Sequence, residues 1–170
     1  MELTELALGL TLGIATWTDW RQRKIYNKLL GPAFLIAFSL QVGQQGWPGV
    51  WLSLAGSLVG LALLLIPYLL GGIGAGDVKL LAVIGAFGGV HFVITSFLYG
   101  AVLGGIVSIV ILIRRKALLA TLKHVFLLLP ILTRPQPISE ALRATCEEKF
   151  PYGIVLVLGT ILARFVPLGW

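Results

Sequence analysis

Long apolar stretches alternate with short polar ones along this chain, and the apolar stretches have the length of membrane-spanning helices. A helix needs about 20 apolar residues to cross a bilayer, with about 17–25 tolerated. The clearest candidates are 50–70 and 92–113, and the last stretch, 153–170, also qualifies and is counted as a span over 150–168. The stretches 3–18 and 29–45 are shorter, and their flanks must complete each crossing.

The apolar run from Leu80 to Ile113 is too long for a single crossing. Paired glycines are strong helix breakers, so "GGVH" at 88–91 predicts a turn that separates a span at 77–88 from the next one. The pattern therefore predicts an all-α, polytopic membrane protein with about six transmembrane helices. We expect one membrane-embedded domain over residues 1–170.

The basic residues predict which side of the membrane each loop faces. Of the thirteen Lys and Arg residues, all except Arg164 lie in or next to the predicted loops 19–28, 71–76 and 114–149. The positive-inside rule assigns these three loops to the cytoplasm and the N-terminus to the outside. The predicted external loops contain neither Lys nor Arg, which agrees with this orientation.

Composition supports a membrane protein and argues against several other classes. The chain is 58% hydrophobic and 12% charged, with a mean hydropathy of +0.97. The net charge of +6 is spread over loops and forms no aromatic-interleaved basic stripe, so we expect a lipid bilayer and no nucleic acid as partner. Cys146 is the only cysteine, which excludes an internal disulfide. We expect no metal and no cofactor, because His91 and His124 lie away from the aspartates in this topology.

The chain has two aspartates, Asp19 and Asp77, and the predicted topology puts both at the cytoplasmic side. Asp19 follows the first span, and Asp77 begins the fourth. Two carboxyl groups that share a site cannot both ionise readily, so one proton is held between them. The ionised group can then accept a proton from an attacking water while the protonated one polarises an amide carbonyl. This pair predicts peptide hydrolysis with general acid/base catalysis.

The glycines before Asp77 are consistent with a peptide-binding loop. Gly72, Gly74 and Gly76 allow positive φ and close approach of another backbone. A helix over 77–88 spans about 18 Å at roughly 1.5 Å per residue, against about 30 Å of hydrocarbon, which predicts a recessed Asp77. A simpler alternative is that Asp77 only caps a helix and Asp19 is an interfacial charge.

Two segments, "DWRQRKIYN" and "GIGAGDVKLLAVIGAFGG", together resemble the signature regions of the type IV prepilin leader peptidases, which include the preflagellin peptidases. These are membrane aspartic proteases of the GxGD type. The matching catalytic positions are Asp19 and Asp77. The motif-supporting positions are Arg23, Asn27, Gly74, Gly76 and Lys79, with Pro151 and Gly153 from a Pro-aromatic-Gly turn in "FPYG".

The resemblance implies cleavage, at the cytoplasmic face of the inner membrane, of short basic leader peptides from prepilins or pilin-like proteins. Tyr26 stands where many bacterial members have proline. The cysteine-bearing insertion of larger members is missing, since the first span leads directly into the Asp19 loop. We therefore expect a minimal peptidase without N-methylation activity; the resemblance assigns no substrate-binding residues.

Three other functions remain open from the residues. A small transporter would explain ionisable residues beside a broken helix, but the chain has no internal repeat. A non-catalytic assembly subunit could hold a pilin-like partner. A presenilin-type protease shares GxGD, although its other aspartate normally follows a tyrosine within a helix, whereas Asp19 follows Thr18.

Overall fold

The structure, a computed structural model, describes residues 2–22, 27–69, 73–114 and 152–166. These residues form helices and contain no strand, so the all-α prediction is confirmed. The helices are α1 (Glu2–Gln22), α2 (Asn27–Gln45), α3 (Trp47–Leu69), α4 (Ala75–Arg114) and α5 (Tyr152–Phe165).

Two helices are long and apolar enough to cross a membrane. They are Trp47–Leu69 and Ala75–Val110, with mean hydropathies of 2.2 and 2.1. Large apolar side chains also cover the outside of the bundle, as on α1, where exposed residues follow helical spacing. These α1 residues are Leu3, Leu6, Leu10, Ile14 and Trp17. An apolar surface of this extent needs a non-aqueous covering, which a bilayer provides.

Helix α4 folds back on itself at Gly89, which confirms the predicted break at 88–91. Gly89 has φ 79° and ψ −172°, a conformation outside the helical region that only glycine adopts readily. In a straight helix, residues 77 and 104 would lie about 40 Å apart. Instead Asp77 and Gly104 both lie close to Tyr152. Residues 75–88 and 90–114 are therefore two antiparallel arms.

Small residues let the first arm of α4 pack very closely against α3. A Cβ atom on Gly56 would come within 2.0 Å of the Gly85 carbonyl oxygen, and one on Gly85 within 2.1 Å of the Gly56 oxygen. Gly60 makes a similar approach to the Leu81 backbone. Close backbone contact through glycine and serine is the usual way that helices associate without a water-driven hydrophobic effect.

The first arm of α4 is the central helix of the bundle. Residues 80–87 are buried on every side. A helix that is apolar all round and enclosed by other helices is a core element rather than a surface one. Asp77, three residues before this stretch, is thus carried by the best-packed part of the described fold.

Several predicted boundaries are corrected by the structure. Helix α1 continues to Gln22, so Asp19 lies inside a helix and not in the predicted 19–28 loop. The reason is local: no glycine or proline interrupts "TDWRQ", so nothing ends the helix at residue 18. Likewise α4 begins at Ala75, so Ala75 and Gly76 are helical and not part of the predicted loop 71–76.

Arg164, the exception to the positive-inside count, has an acidic partner. Its guanidinium group forms a two-pronged ion pair with the Glu5 carboxylate, with Arg164 Nε 2.9 Å from Oε2. This pair joins α5 to α1 at the end of the bundle away from Asp19, which we call the far end. It contains Thr4, Glu5, Gln44 and Arg164.

Candidate active site

Asp19 and Asp77 lie at one end of the bundle, which we call the aspartate end. Asp19 is on the last turns of α1 and Asp77 in the first turn of α4. Asp19 is 5% exposed, whereas the neighbouring Trp20 is 78% exposed. The helical repeat thus turns one side chain into the protein and the next one outward.

The Asp19 carboxyl group faces the amino end of α5. Main-chain N–H groups of Gly153 and Ile154 approach it closely enough to interact. Its Oδ2 atom is buried and has no hydrogen-bond partner in the part of the chain that the structure describes. Burial raises the pKa of the Asp19 carboxyl group above its ordinary value, and the two N–H groups oppose this rise by a smaller amount. Asp19 is therefore a carboxyl group that holds a proton more readily than an exposed aspartate.

Asp77 is held by the glycine loop that precedes it. Gly74 N–H donates to Asp77 Oδ2 at 3.3 Å, and Asp77 N–H donates to the Gly74 carbonyl oxygen at 3.1 Å. This reciprocal pair resembles a capping box, with Gly74 at the cap and an acid three residues later. The capping role that the sequence suggested for Asp77 is thus present, in a form that also fixes the direction of its carboxylate.

The backbone conformation of the glycines before Asp77 differs from the one that the sequence predicted. Among the described residues, positive φ occurs at Gly46 and Gly89, and not at Gly74 or Gly76. Gly76 is helical, and Gly74 provides close approach instead: a Cβ atom there would lie 3.3 Å from Asp77 Oδ2. Gly72 lies outside the described residues.

The fold brings the two carboxyl groups close enough to repel each other when both are ionised. Tyr152, the first residue of α5, is also within electrostatic range of Asp77. Two carboxyl groups that repel each other favour a shared proton.

The other predicted site residues are distributed around this pair. Gly153 contacts Asp19 through its N–H group, as described above, and Lys79 is exposed one turn into α4. Asn27 begins α2. Arg23 and Pro151 lie outside the described residues.

Two contacts at this site were not assigned from the sequence, those of Tyr152 and Ile154. The signal for Tyr152 was present, because it is the aromatic residue of "FPYG" at the start of the last apolar stretch. Ile154 contributes a main-chain group, and its side chain therefore carries no sequence signal for this contact.

The arrangement contains the groups that hydrolysis of an amide by water requires. One carboxyl group can accept a proton and the other can donate one. In the described ranges, no three His, Cys, Asp or Glu side chains come together in a group that could hold a metal ion.

Comparison with protein families agrees with the motifs. The model of the type IV leader peptidase family matches residues 6–109, more than half of the 170 residues. The chain belongs to the type IV leader peptidase family. The match includes Asp19 and Asp77 and ends before α5. No curated protein and no solved structure matches the chain.

Family membership indicates a peptidase, which is a hydrolase that acts on a protein substrate. Together with the two long apolar helices, it also indicates a membrane protein. This leader peptidase family member therefore combines a membrane-type fold with a pair of carboxyl groups at one end.

Proposed function

We propose that the protein is a membrane aspartic endopeptidase that removes the short basic leader from prepilins or pilin-like proteins. Asp19 and Asp77 act as a general acid/base pair on a water molecule. The observation that carries the proposal is that α1 and α4, remote in sequence, bring these two carboxyl groups within interaction distance.

In the proposed reaction, the ionised carboxylate accepts a proton from water as the oxygen attacks the scissile carbonyl carbon. The protonated carboxyl group donates to the carbonyl oxygen, which gives a gem-diol and exchanges the two roles. The carboxyl group that took the proton from water then donates it to the leaving amine, while the other takes a proton back from the gem-diol as the carbonyl re-forms. Each turnover consumes one water and leaves the pair with one proton, as at the start. The buried, unpartnered Oδ2 of Asp19 supports this assignment, since its hydrogen-bonding capacity is available to a water or a substrate.

We further propose six spans in the inner membrane, with the N-terminus outside and the aspartate end in the cytoplasm. The distribution of Lys and Arg supports this orientation. The fold-back of α4 at Gly89 supports the span count, because it turns one long apolar helix into two antiparallel arms. The substrate's apolar segment would then remain in the bilayer while its basic leader reaches the site from the cytoplasm.

Replacement of each aspartate tests the catalytic pair. Asp77→Asn is preferable to alanine, since asparagine can still accept the hydrogen bond from Gly74 N–H. We expect Asp19→Asn and Asp77→Asn each to lower the rate of leader cleavage by at least about 10²–10⁴-fold, the usual contribution of an acid/base group. The measurement is processing of a purified prepilin by vesicles, with N-terminal sequencing of the product.

Glu5→Gln is the matched control, because it removes an acid from the same helix at the far end. This variant should cleave at the wild-type rate. Inverted vesicles should cleave added substrate directly, whereas right-side-out vesicles should need permeabilisation. Near wild-type cleavage by either asparagine variant would refute the acid/base pair, and cleavage only from the outer side would refute the orientation.

A further inference from the structure

The amino end of α5 connects the two helices that carry the aspartates. Helix α1 has fewer direct contacts with α4 than with α5, while α5 packs extensively on the second arm of α4. At the aspartate end, N–H groups of Gly153 and Ile154 face Asp19. At the far end, Arg164 binds Glu5. Asp19 is therefore located relative to Asp77 through the neighbouring helices α2 and α5 more than by direct contact of α1 with α4, and α5 lies beyond the family match.

Tyr152 is the first residue of α5 and adjoins the N–H groups that face Asp19. It precedes Gly153 directly and lies within electrostatic range of Asp77. Its ring packs on Gly104 in the second arm of α4, where a Cβ atom would come within 3.3 Å of Tyr152 Cε2. The ring thus rests against Gly104: a Cβ atom there would require a shift of a few tenths of an ångström, and a side chain as large as leucine would require more.

We propose that Tyr152 is a positioning residue: its ring, seated on Gly104, holds the first turn of α5 so that the N–H groups of Gly153 and Ile154 bind the Asp19 carboxyl group beside Asp77. The inference rests on the proposed function, because it assigns a task within the same site. Tyr152 acts through Asp19, by way of the helix that both contact.

This arrangement distinguishes the two aspartates. Donors aimed at a carboxylate favour its ionised form, and the positive end of a helix dipole adds to this preference. Asp19 is thus the better candidate for the ionised, proton-accepting partner, and Asp77 for the proton donor.

The charged and titratable groups around Asp19 can be named only for the described residues. Asp77 of α4 interacts electrostatically with Asp19, and Tyr152 of α5 interacts with Asp77. On its own helix, Arg21 lies over the Trp17 ring at 5.3 Å from the centroid. Lys28, near the start of α2, is exposed. Displacement of the α5 donors should therefore act directly on Asp19.

The first test is the pH dependence of kcat/KM for leader cleavage. Tyr152→Ala removes the ring and should lower kcat/KM by between about 10- and 100-fold, as small displacements of catalytic groups do. Its acidic limb should move to higher pH by about one unit, because Asp19 loses donors that favour ionisation. Tyr152→Phe keeps the ring and should restore most of the activity and the original acidic limb.

The second test compares adjacent glycines on the same arm. Gly104→Leu should displace the ring and reproduce both effects of Tyr152→Ala. Gly105→Leu should have the wild-type rate and pH profile, because nothing lies within 4 Å of a Cβ atom at Gly105. Both variants should insert and accumulate equally in membranes, which separates a site effect from a folding defect.

An acidic limb that stays in place in Tyr152→Ala would overturn the proposal, as would equal effects of leucine at the two glycines. A loss in Tyr152→Phe as large as in the alanine variant would also overturn it, since the ring alone should be sufficient. The proposal of an acid/base pair is tested separately. If it is wrong, the Asp77→Asn variant will cleave the leader in the same assay.

Discussion

Both ends of the bundle contain polar side chains among apolar helices, but the hydrogen-bond and ion-pair partners of these side chains differ between the two ends. At the far end, polar groups bind one another: Glu5 with Arg164, and Gln44 Nε2 with Thr4 Oγ1 at 2.8 Å. At the aspartate end, Asp19 is buried with an Oδ2 that has no partner among the described residues, and Asp77 accepts the capping bond from Gly74. Mutual pairing is typical of structural polar groups, whereas a buried acid with an unpaired oxygen is typical of a functional one.

The far end also has a cavity of about 220 Å³, lined by residues such as Leu8, Gln41 and Phe92. Its size alone does not make it the reaction site, because its charged groups already neutralise each other. The comparison teaches that the chemistry of the lining, and not the volume, separates the two ends.

The largest effect on stability in this comparison is expected for Gln41→Leu. Buried Gln41 donates through Nε2 to the carbonyl oxygen of Phe87, which lies just before the turn at Gly89. Loss of this donor leaves a buried acceptor unpaired and should lower the free energy of unfolding by roughly 1–3 kcal/mol. Thermal unfolding in detergent measures this loss.

Cleavage per folded molecule should stay unchanged in Gln41→Leu, since the residue belongs to the far end. Gln44→Leu is the matched control, because its bond to Thr4 is exposed and its loss should cost much less. A Gln41→Leu protein that is stable but inactive would contradict the assignment of function to the aspartate end, since it would show a functional role for the far end.

An effect of opposite sign is expected for Asp19→Asn. Burial raises the pKa of the folded Asp19 carboxyl group above its unfolded value, so the folded state binds more protons and loses stability as the pH rises above that unfolded value. Asparagine removes this penalty. The Tm of Asp19→Asn should therefore exceed that of the wild type by a few degrees at pH 7, while activity is lost.

The Tm difference between the wild type and Asp19→Asn should shrink as the pH falls toward the ordinary pKa of an aspartic acid. A series of melting curves from pH 4 to pH 8 measures it. A wild type that is more stable than Asp19→Asn at neutral pH would instead make Asp19 a structural acid and remove the contrast between the two ends.

The smallest effect is expected for the Glu5–Arg164 pair, because both side chains are about half exposed. Arg164→Gln should lower Tm by no more than about 4 °C and leave cleavage unchanged. Adding Glu5→Gln to this variant should cause little further loss, since the partners act together. A fall in cleavage much larger than the fall in stability would show that the Glu5–Arg164 pair affects the position of the aspartates through α5.

Much of the fold could be read from local pattern. The apolar stretches and the paired glycines at 88–91 predicted the helices and the reversal at Gly89. Asp19 and Asp77 emerged as candidates because carboxyl groups are scarce in so apolar a chain. The helix ends were less predictable: α1 extends through Asp19 because the residues around it lack a breaker, although their charges suggested a loop.

The sequence by itself determined the helices, the membrane character, the family and the two aspartates, since each depends on residue type and spacing along one chain. Only the tertiary structure decided that the amino end of α5 faces Asp19 and that Tyr152 rests on Gly104. Those contacts join segments far apart in the chain and partly involve main-chain N–H groups. Main-chain groups are the same for almost every residue, and their direction follows from packing alone.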